Sequence, residues 1–135
     1  MNGKDKLGKI PLHLACHEHH IDVVKVHIQE CDNSLFTDLC KVQDSLGNTP
    51  LHYACKSDSI VKHLIDKGAE MSARNKQNEA PIHIAAKFGF IETARILLEM
   101  GVPTDFIGGQ NRTPLHYAAK HNQTRIIKLL CENER

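Results

Sequence analysis

Apolar residues recur at helical spacing in four parts of the chain, and each of these parts begins with the same short pattern. The pattern is Pro, an aliphatic residue, His, an aliphatic or Tyr residue, Ala, and then Ala or Cys. It occupies residues 11–16, 50–55, 81–86 and 114–119, so successive prolines are separated by 39, 31 and 33 residues. Self-similarity at this period is typical of repeat proteins.

Each proline is predicted to begin a helix. Thr49 and Thr113 directly precede two of the prolines, as expected for an N-cap followed by Pro in the first turn. Ile10 and Ala80 stand at this position in the other two repeats. Residue types that tolerate positive φ in a tight turn stand three residues before each proline, namely Gly8, Gly47, Asn78 and Asn111.

Two helices are predicted for each repeat. In the third repeat, Ile82 and Ala86 lie on a first helix that Gly89 ends, and Ile91 and Leu97 lie on a second helix that Gly101 ends. Neither short helix can bury its apolar face alone, so stability must come from stacking neighbouring pairs. The sequence therefore predicts an all-α solenoid of stacked helix-turn-helix pairs.

Segment 44–55, followed by 60–69, resembles an ankyrin repeat, and so do segments 81–101 and 113–130. The resemblance implies short β-hairpin tips between the helix pairs. It also implies binding of other proteins through these tips and the concave face of the first helices. We expect one ankyrin-repeat domain over residues 1–135, with repeats at about 5–43, 44–74, 75–107 and 108–135.

Two repeats depart in length from the others. The first contains an insertion at about residues 32–43, where Leu35, Phe36 and Leu39 have the spacing of an extra helical turn capped by Asn33 or Ser34. These apolar residues either pack locally over the second helix or form a rival interface. The second repeat is two residues short between its helices, near Ser57.

Composition and charge exclude several classes of protein. The chain has 17 Lys and Arg against 16 Asp and Glu, a net charge of +1, which excludes a polyanion coat or a polybasic anchor. We therefore expect no nucleic-acid partner. No apolar run is long enough for a membrane span, and no signal peptide is recognised. Five irregularly spaced cysteines then indicate reduced thiols in an intracellular protein, cytoplasmic or also nuclear.

Histidine is frequent, yet its placement favours structure over catalysis. Four histidines occupy one repeat position, whereas a catalytic site converges on a single point. The resemblance implies that each bonds the preceding Thr and a neighbouring backbone group, a role left in doubt for the two repeats without Thr. The residues concerned are His13, His52, His83 and His116.

The run Cys16 to His20 holds the densest set of metal-capable side chains. It misses the zinc-protease pattern His-Glu-x-x-His because Ile21 stands where the second His is needed. We expect no metal and no cofactor, although a metal-responsive module stays open as a less favoured alternative. Among the other cysteines, Cys131 is predicted to fill a core position, and Cys31 and Cys40 are candidates for exposure.

The resemblance also indicates which positions face a partner. At these positions seven residues are cationic and two, Glu18 and Glu79, are anionic, so the face carries +5 and the rest of the chain −4. Such a face suits an acidic peptide or loop, although the lysines could equally be ordinary solubility residues. The predicted partner-binding residues are Lys6, Leu7, Lys9, His17, Leu46, Asn48, Tyr53, Lys56, Lys76, Lys87, Phe88, Arg112, Tyr117, Lys120 and His121.

The sequence thus predicts a monomeric protein-interaction module without catalytic residues. Its partner would be a protein or peptide, with no direct insertion into a membrane. The alternative is a partner- or substrate-recruiting segment of a larger enzyme, channel or signalling protein.

Overall fold

The computed structural model describes residues 6–18 and 20–133, except for the side chain of Asn33. The fold is all-α, as predicted, and no residue in these ranges belongs to a strand. The helices are α1 (Pro11–His17), α2 (Ile21–Glu30), α3 (Asn33–Cys40), α4 (Pro50–Ala54), α5 (Asp58–Asp66), α6 (Pro81–Phe88), α7 (Ile91–Glu99), α8 (Pro114–Lys120) and α9 (Thr124–Asn133), with a 3₁₀ turn at Gly109–Asn111.

Helices pair within each repeat and stack between repeats. The pairs are α1 with α2, α4 with α5, α6 with α7, and α8 with α9. The first helices pack in the order α1, α4, α6, α8, and the second helices in the order α2, α5, α7, α9. All four pairs fall within the predicted repeats, whose boundaries stay a prediction.

In the first three repeats, the repeated histidine joins the first helix to a backbone carbonyl outside that helix. In His52, Nδ1 accepts the backbone N–H of Thr49 at 3.0 Å, and Nε2 donates to the Glu79 carbonyl at 2.8 Å. His83 repeats both bonds with Ala80 and Phe106. Loss of the Thr therefore removes one hydroxyl contact and leaves the network otherwise intact.

The hairpin tips are tight turns. In the second repeat the Asp44 amide donates to the Asn48 carbonyl at 3.0 Å, and the turn passes through Gly47 at φ 79°. A Cβ atom on Gly47 would lie 2.6 Å from the backbone nitrogen of Lys76, so glycine also permits the close approach of the next tip. Neighbouring tips are joined by the Lys76 amide, which donates to the Leu46 carbonyl at 3.0 Å.

The insertion forms α3, whose N-cap is Asp32, so the prediction of Asn33 or Ser34 was wrong. The Asp32 carboxylate accepts the Leu35 amide at 2.7 Å. Phe36 and Leu39 are buried in the core of the first two repeats, which supports local packing over a rival interface. Leu35 stays 44% exposed.

The cysteines divide between the core and the surface. Cys16, Cys40 and Cys55 are buried, so the option of an exposed Cys40 was wrong. Burial raises the pKa of the Cys40 and Cys55 thiols to about 12, which keeps both protonated. Cys131, predicted as a core residue, is exposed.

Candidate functional site

Most of the predicted partner-binding residues lie on or beside one side of the stack, which we call the first-helix face. It consists of α1, α4, α6 and α8 together with the turns that precede them. Fourteen of the fifteen residues are half-buried or exposed, and Leu46 and Phe88 are the most exposed apolar members at 59% and 56%. Large apolar side chains this open to water are a common mark of binding surfaces when they lie together.

Tyr117 is the exception among the predicted partner-binding residues, because it is buried. Only 5% of the residue is exposed, because its ring packs against His83 with centroids 5.1 Å apart. Its hydroxyl accepts the Gly109 amide at 3.0 Å and bonds the Glu79 carboxylate. Burial raises the pKa of this hydroxyl. Tyr117 therefore joins the third and fourth repeats and is not available to a partner.

Tyr53 stands at the equivalent position two repeats earlier and is only half-buried. Its hydroxyl donates to the carboxylate of Asp44, and its ring meets the edge of His17 with centroids 5.2 Å apart. The Lys9 ammonium lies 4.9 Å from the ring centroid, within range of a cation–π interaction. The ring is thus fixed in position while part of it stays accessible.

Two buried carboxylates support this face, and the sequence interpretation missed that role. Asp44 is 6% exposed and accepts the amides of Leu46 and Asn48, each at 3.0 Å. Glu79, counted among the exposed anions, is also only 6% exposed. The signal available was the Asp two residues before Leu46, a spacing typical of an Asx turn.

Burial of Glu79 changes the charge of the surface. Its carboxylate lies 3.9 Å from the Lys87 ammonium and 3.4 Å from the side-chain nitrogen of Asn75. Glu79 therefore offsets the positive charge of Lys87. Glu18 is the one exposed acidic residue among the positions predicted to face a partner. Lys56, Lys76 and Lys120 are exposed cations on the same face.

The first-helix face contains a depression at the short helix α4. Helix α4 has five residues and ends at Ala54, whereas α1 has seven and α6 has eight. The depression is lined by residues of α1, α4 and α6, among them His17, Tyr53 and Phe88.

Three of the four repeated histidines are buried, and burial favours their neutral form. Burial lowers the pKa of His13, His52 and His83 below 6.5, and each ring donates to a backbone carbonyl. These rings have structural partners on both nitrogens.

Metal-capable side chains do not converge within the described ranges. No group of three or more His, Cys, Asp or Glu residues in 6–18 and 20–133 could hold a metal ion. His17 of the Cys16-to-His20 run packs on Tyr53, and His19 lies outside the described residues. Over the same ranges, no helix is both long and apolar enough to cross a bilayer.

Comparisons with known proteins agree with the geometry. A family model described as ankyrin repeats (3 copies) matches residues 1–75 and 56–135. The chain is 37% identical over 93 residues to the transient receptor potential cation channel subfamily A member 1 of Drosophila melanogaster, a match that covers 67% of this chain and 8% of that protein.

A second relative is the probable 26S proteasome regulatory subunit p28 of Saccharomyces cerevisiae. It is 31% identical over 98 residues, which cover 72% of this chain and 42% of that protein. The chain therefore spans less than half the length of both relatives.

Proposed function

Since this chain belongs to the ankyrin-repeat family, whose repeats bind protein partners, we propose that it is a non-catalytic module for an acidic peptide or loop. The binding surface would be the first-helix face, concave as in the family, together with the hairpin tips. The partner would be held by electrostatic attraction to the lysines and by contact with the exposed apolar side chains.

The main support for the proposal is that positively charged and apolar side chains are exposed together on the first-helix face. Lys56, Lys76 and Lys120 are exposed, and Leu46 and Phe88 stand among them. A peptide with clustered Asp and Glu residues would be attracted before contact, and the apolar groups would then lengthen its residence. The Lys87 charge contributes less because Glu79 lies beside it.

The test is selection of binding peptides from a randomised display library, followed by charge reversal. Selected peptides should carry a net negative charge. The triple variant Lys56→Glu, Lys76→Glu, Lys120→Glu should weaken their binding at least about a hundredfold at low salt, since three attractive charges become repulsive. Fluorescence anisotropy with the labelled peptides at two salt concentrations measures the loss.

A matched control reverses the same number of charges on the second helices. Lys25, Lys62 and Lys128 occupy equivalent exposed positions of α2, α5 and α9, so changing them to Glu alters the net charge identically. Binding should fall much less in this variant because the charges lie on the other side of the stack. Selected peptides without acidic bias, or equal losses in both variants, would contradict the proposal.

The proposal also covers the oligomeric state of the chain and its location in the cell. We infer a monomer in the cytoplasm, with the nucleus as a second compartment, and no role in binding nucleic acid. The near-neutral net charge of +1 supports the last point, since nucleic-acid binding draws on a large cationic excess.

A second candidate function is recruitment of partners or substrates within a larger protein. The match to 8% of a cation channel favours this candidate, because it shows a similar sequence used as one segment of a much longer chain. The coding sequence on both sides of this segment distinguishes the two candidates. A catalytic or channel domain there would assign the recruiting role.

A further inference from the structure

The depression on the first-helix face encloses an apolar pocket whose wall and floor come from three repeats. The pocket has a volume of about 270 Å³. Pockets for whole small-molecule ligands typically measure roughly 300–1,000 Å³, so this one is sized for a single side chain. Its principal lining residues are His17, Tyr53, Lys56, Ile84, Phe88 and Phe90.

Aromatic rings are fixed on opposite sides of this pocket. Phe88 and Phe90 stack with centroids 5.8 Å apart and an interplanar angle of 28°. On the opposite side, the edge contact between His17 and Tyr53 fixes the second ring pair. Because the walls are held before any partner arrives, little conformational entropy is lost when a side chain enters.

Phe88 is the last residue of α6 and lines the pocket together with Tyr53 and Lys56 of the second repeat. The ring remains 56% exposed although its neighbour Phe90 is half-buried. An apolar guest would cover a ring that the fold itself leaves in water, which is the common setting of an interface hot spot.

The charges around the pocket determine the chemistry of its occupant. Lys56 lines the pocket, and the ammonium of Lys87, whose charge Glu79 partly offsets, lies 5.4 Å from the Phe88 ring centroid. Lys9 lies over Tyr53 on the other side. Anionic residues on both sides of an apolar anchor would therefore meet cations, whereas cationic ones would be repelled.

The geometry points to an anchor pocket for one large apolar side chain, aromatic or aliphatic, that an acidic segment of a partner protein presents between Asp or Glu residues. This inference rests on the proposed function and adds the recognition element. The lysines give the surface its preference for an acidic segment, and the pocket determines which position of that segment must be a large apolar residue.

The chain has no tryptophan, which makes a tryptophan-containing peptide a clean probe. The probe is a short synthetic peptide of Asp and Glu residues with one central Trp. Its fluorescence emission should shift to shorter wavelength on titration with the protein, because the indole leaves water. A peptide with Ala in place of Trp should compete at least about tenfold more weakly, the factor expected for a single buried anchor.

Two variants of the protein locate the contact. Phe88→Ala should weaken the Trp peptide about tenfold and abolish its preference over the Ala peptide, and the side chain is exposed enough for the fold to tolerate the change. Leu35→Ala is the matched control, since Leu35 is a similarly exposed apolar residue on α3. It should leave both the emission shift and the preference unchanged.

The outcomes separate this inference from the proposed function. If the acidic Trp and Ala peptides compete equally while charge reversal still abolishes both, the anchor pocket is wrong and the acidic face stands. If a peptide with Ser in place of Asp and Glu binds as tightly as the acidic Trp peptide, both ideas fail. If no acidic peptide binds, the pocket is wrong and the library selection alone decides the proposed function.

Discussion

Val23 of the first repeat and Ile60 of the second occupy the same position of their second helices, yet their surroundings differ completely. Val23 is 41% exposed and Ile60 is fully buried. The next equivalent residue, Thr93, shows what makes the difference, because its hydroxyl donates to the Cys55 carbonyl of the preceding repeat at 2.6 Å. A side chain at this position is buried by the repeat before it, and no described element lies there for Val23.

The same contrast is found along the first helices. Leu14 and Tyr53 are equivalent, but only Tyr53 has the rings of His13 and His17 beside it. At the C-terminal end the exposed residue belongs to the last repeat: His83 is buried, and its equivalent His116 is exposed. In this fold the hydrophobic pattern indicates which side chains can be buried, and the presence of a neighbouring repeat determines whether they are buried.

Truncation of the two equivalent aliphatic residues should give the largest difference. Ile60→Ala should lower the free energy of unfolding by about 2–5 kcal/mol, through lost burial and the cavity left in the core. Val23→Ala should change it by less than about 0.5 kcal/mol, helped by the higher helix propensity of Ala. Urea unfolding followed by circular dichroism measures both. Similar losses would show that the first repeat is covered in solution.

Removal of the equivalent histidines should give a smaller but still clear contrast. His83→Ala leaves the Ala80 amide and the Phe106 carbonyl without a partner in the core and should cost about 2–4 kcal/mol. His116 is exposed and bonds the Thr113 amide locally, so His116→Ala should cost about 0.5–1 kcal/mol. Equal midpoints of thermal unfolding for the two variants would refute the claim that the neighbour supplies the energy.

The pH dependence of stability should give the smallest effect per residue. Burial lowers the pKa of His13, His52 and His83 below 6.5 in the folded chain. Above pH 6.5 these rings are neutral in both states, so they add no pH dependence. Below it the unfolded chain takes up protons first, and stability should fall by up to about 1.4 kcal/mol per pH unit for each ring.

Substitution of one buried ring isolates this contribution. In His83→Gln the dependence of the unfolding free energy on pH between 6.5 and 5.5 should be shallower than in the natural chain, whatever the loss of stability at pH 7.5. Parallel curves for the two proteins would mean that His83 takes no part in the acid response.

The repeat architecture could be predicted from the sequence because its signals are local. Each of the four repeated prolines begins a helix, as the pattern predicted, and Gly89 ends α6 in a left-handed conformation at φ 78°. The surface was harder to predict, since it depends on contacts across repeats. Tyr53 and Tyr117 have the same residue type at the same position, but the Gly109 turn and His83 bury only the second.

Charge placement escaped the sequence interpretation for a similar reason. The position of Glu79 in the tip suggested an exposed anion, but its carboxylate lies among Asn75, Lys87 and Tyr117. Only the fold brings these four residues together. The cap of α3 was missed more simply, because Asp32 lies one residue before the two candidates considered.

The buried thiols allow local opening of the stack to be measured by chemical labelling. Cys16, Cys40 and Cys55 are protonated and shielded within the first two repeats, while Cys131 is exposed at the other end. An alkylating reagent can reach the first three only when that half of the stack separates, whereas it meets Cys131 directly. The rate at which the three buried thiols are labelled, relative to Cys131, therefore records how often the first two repeats open.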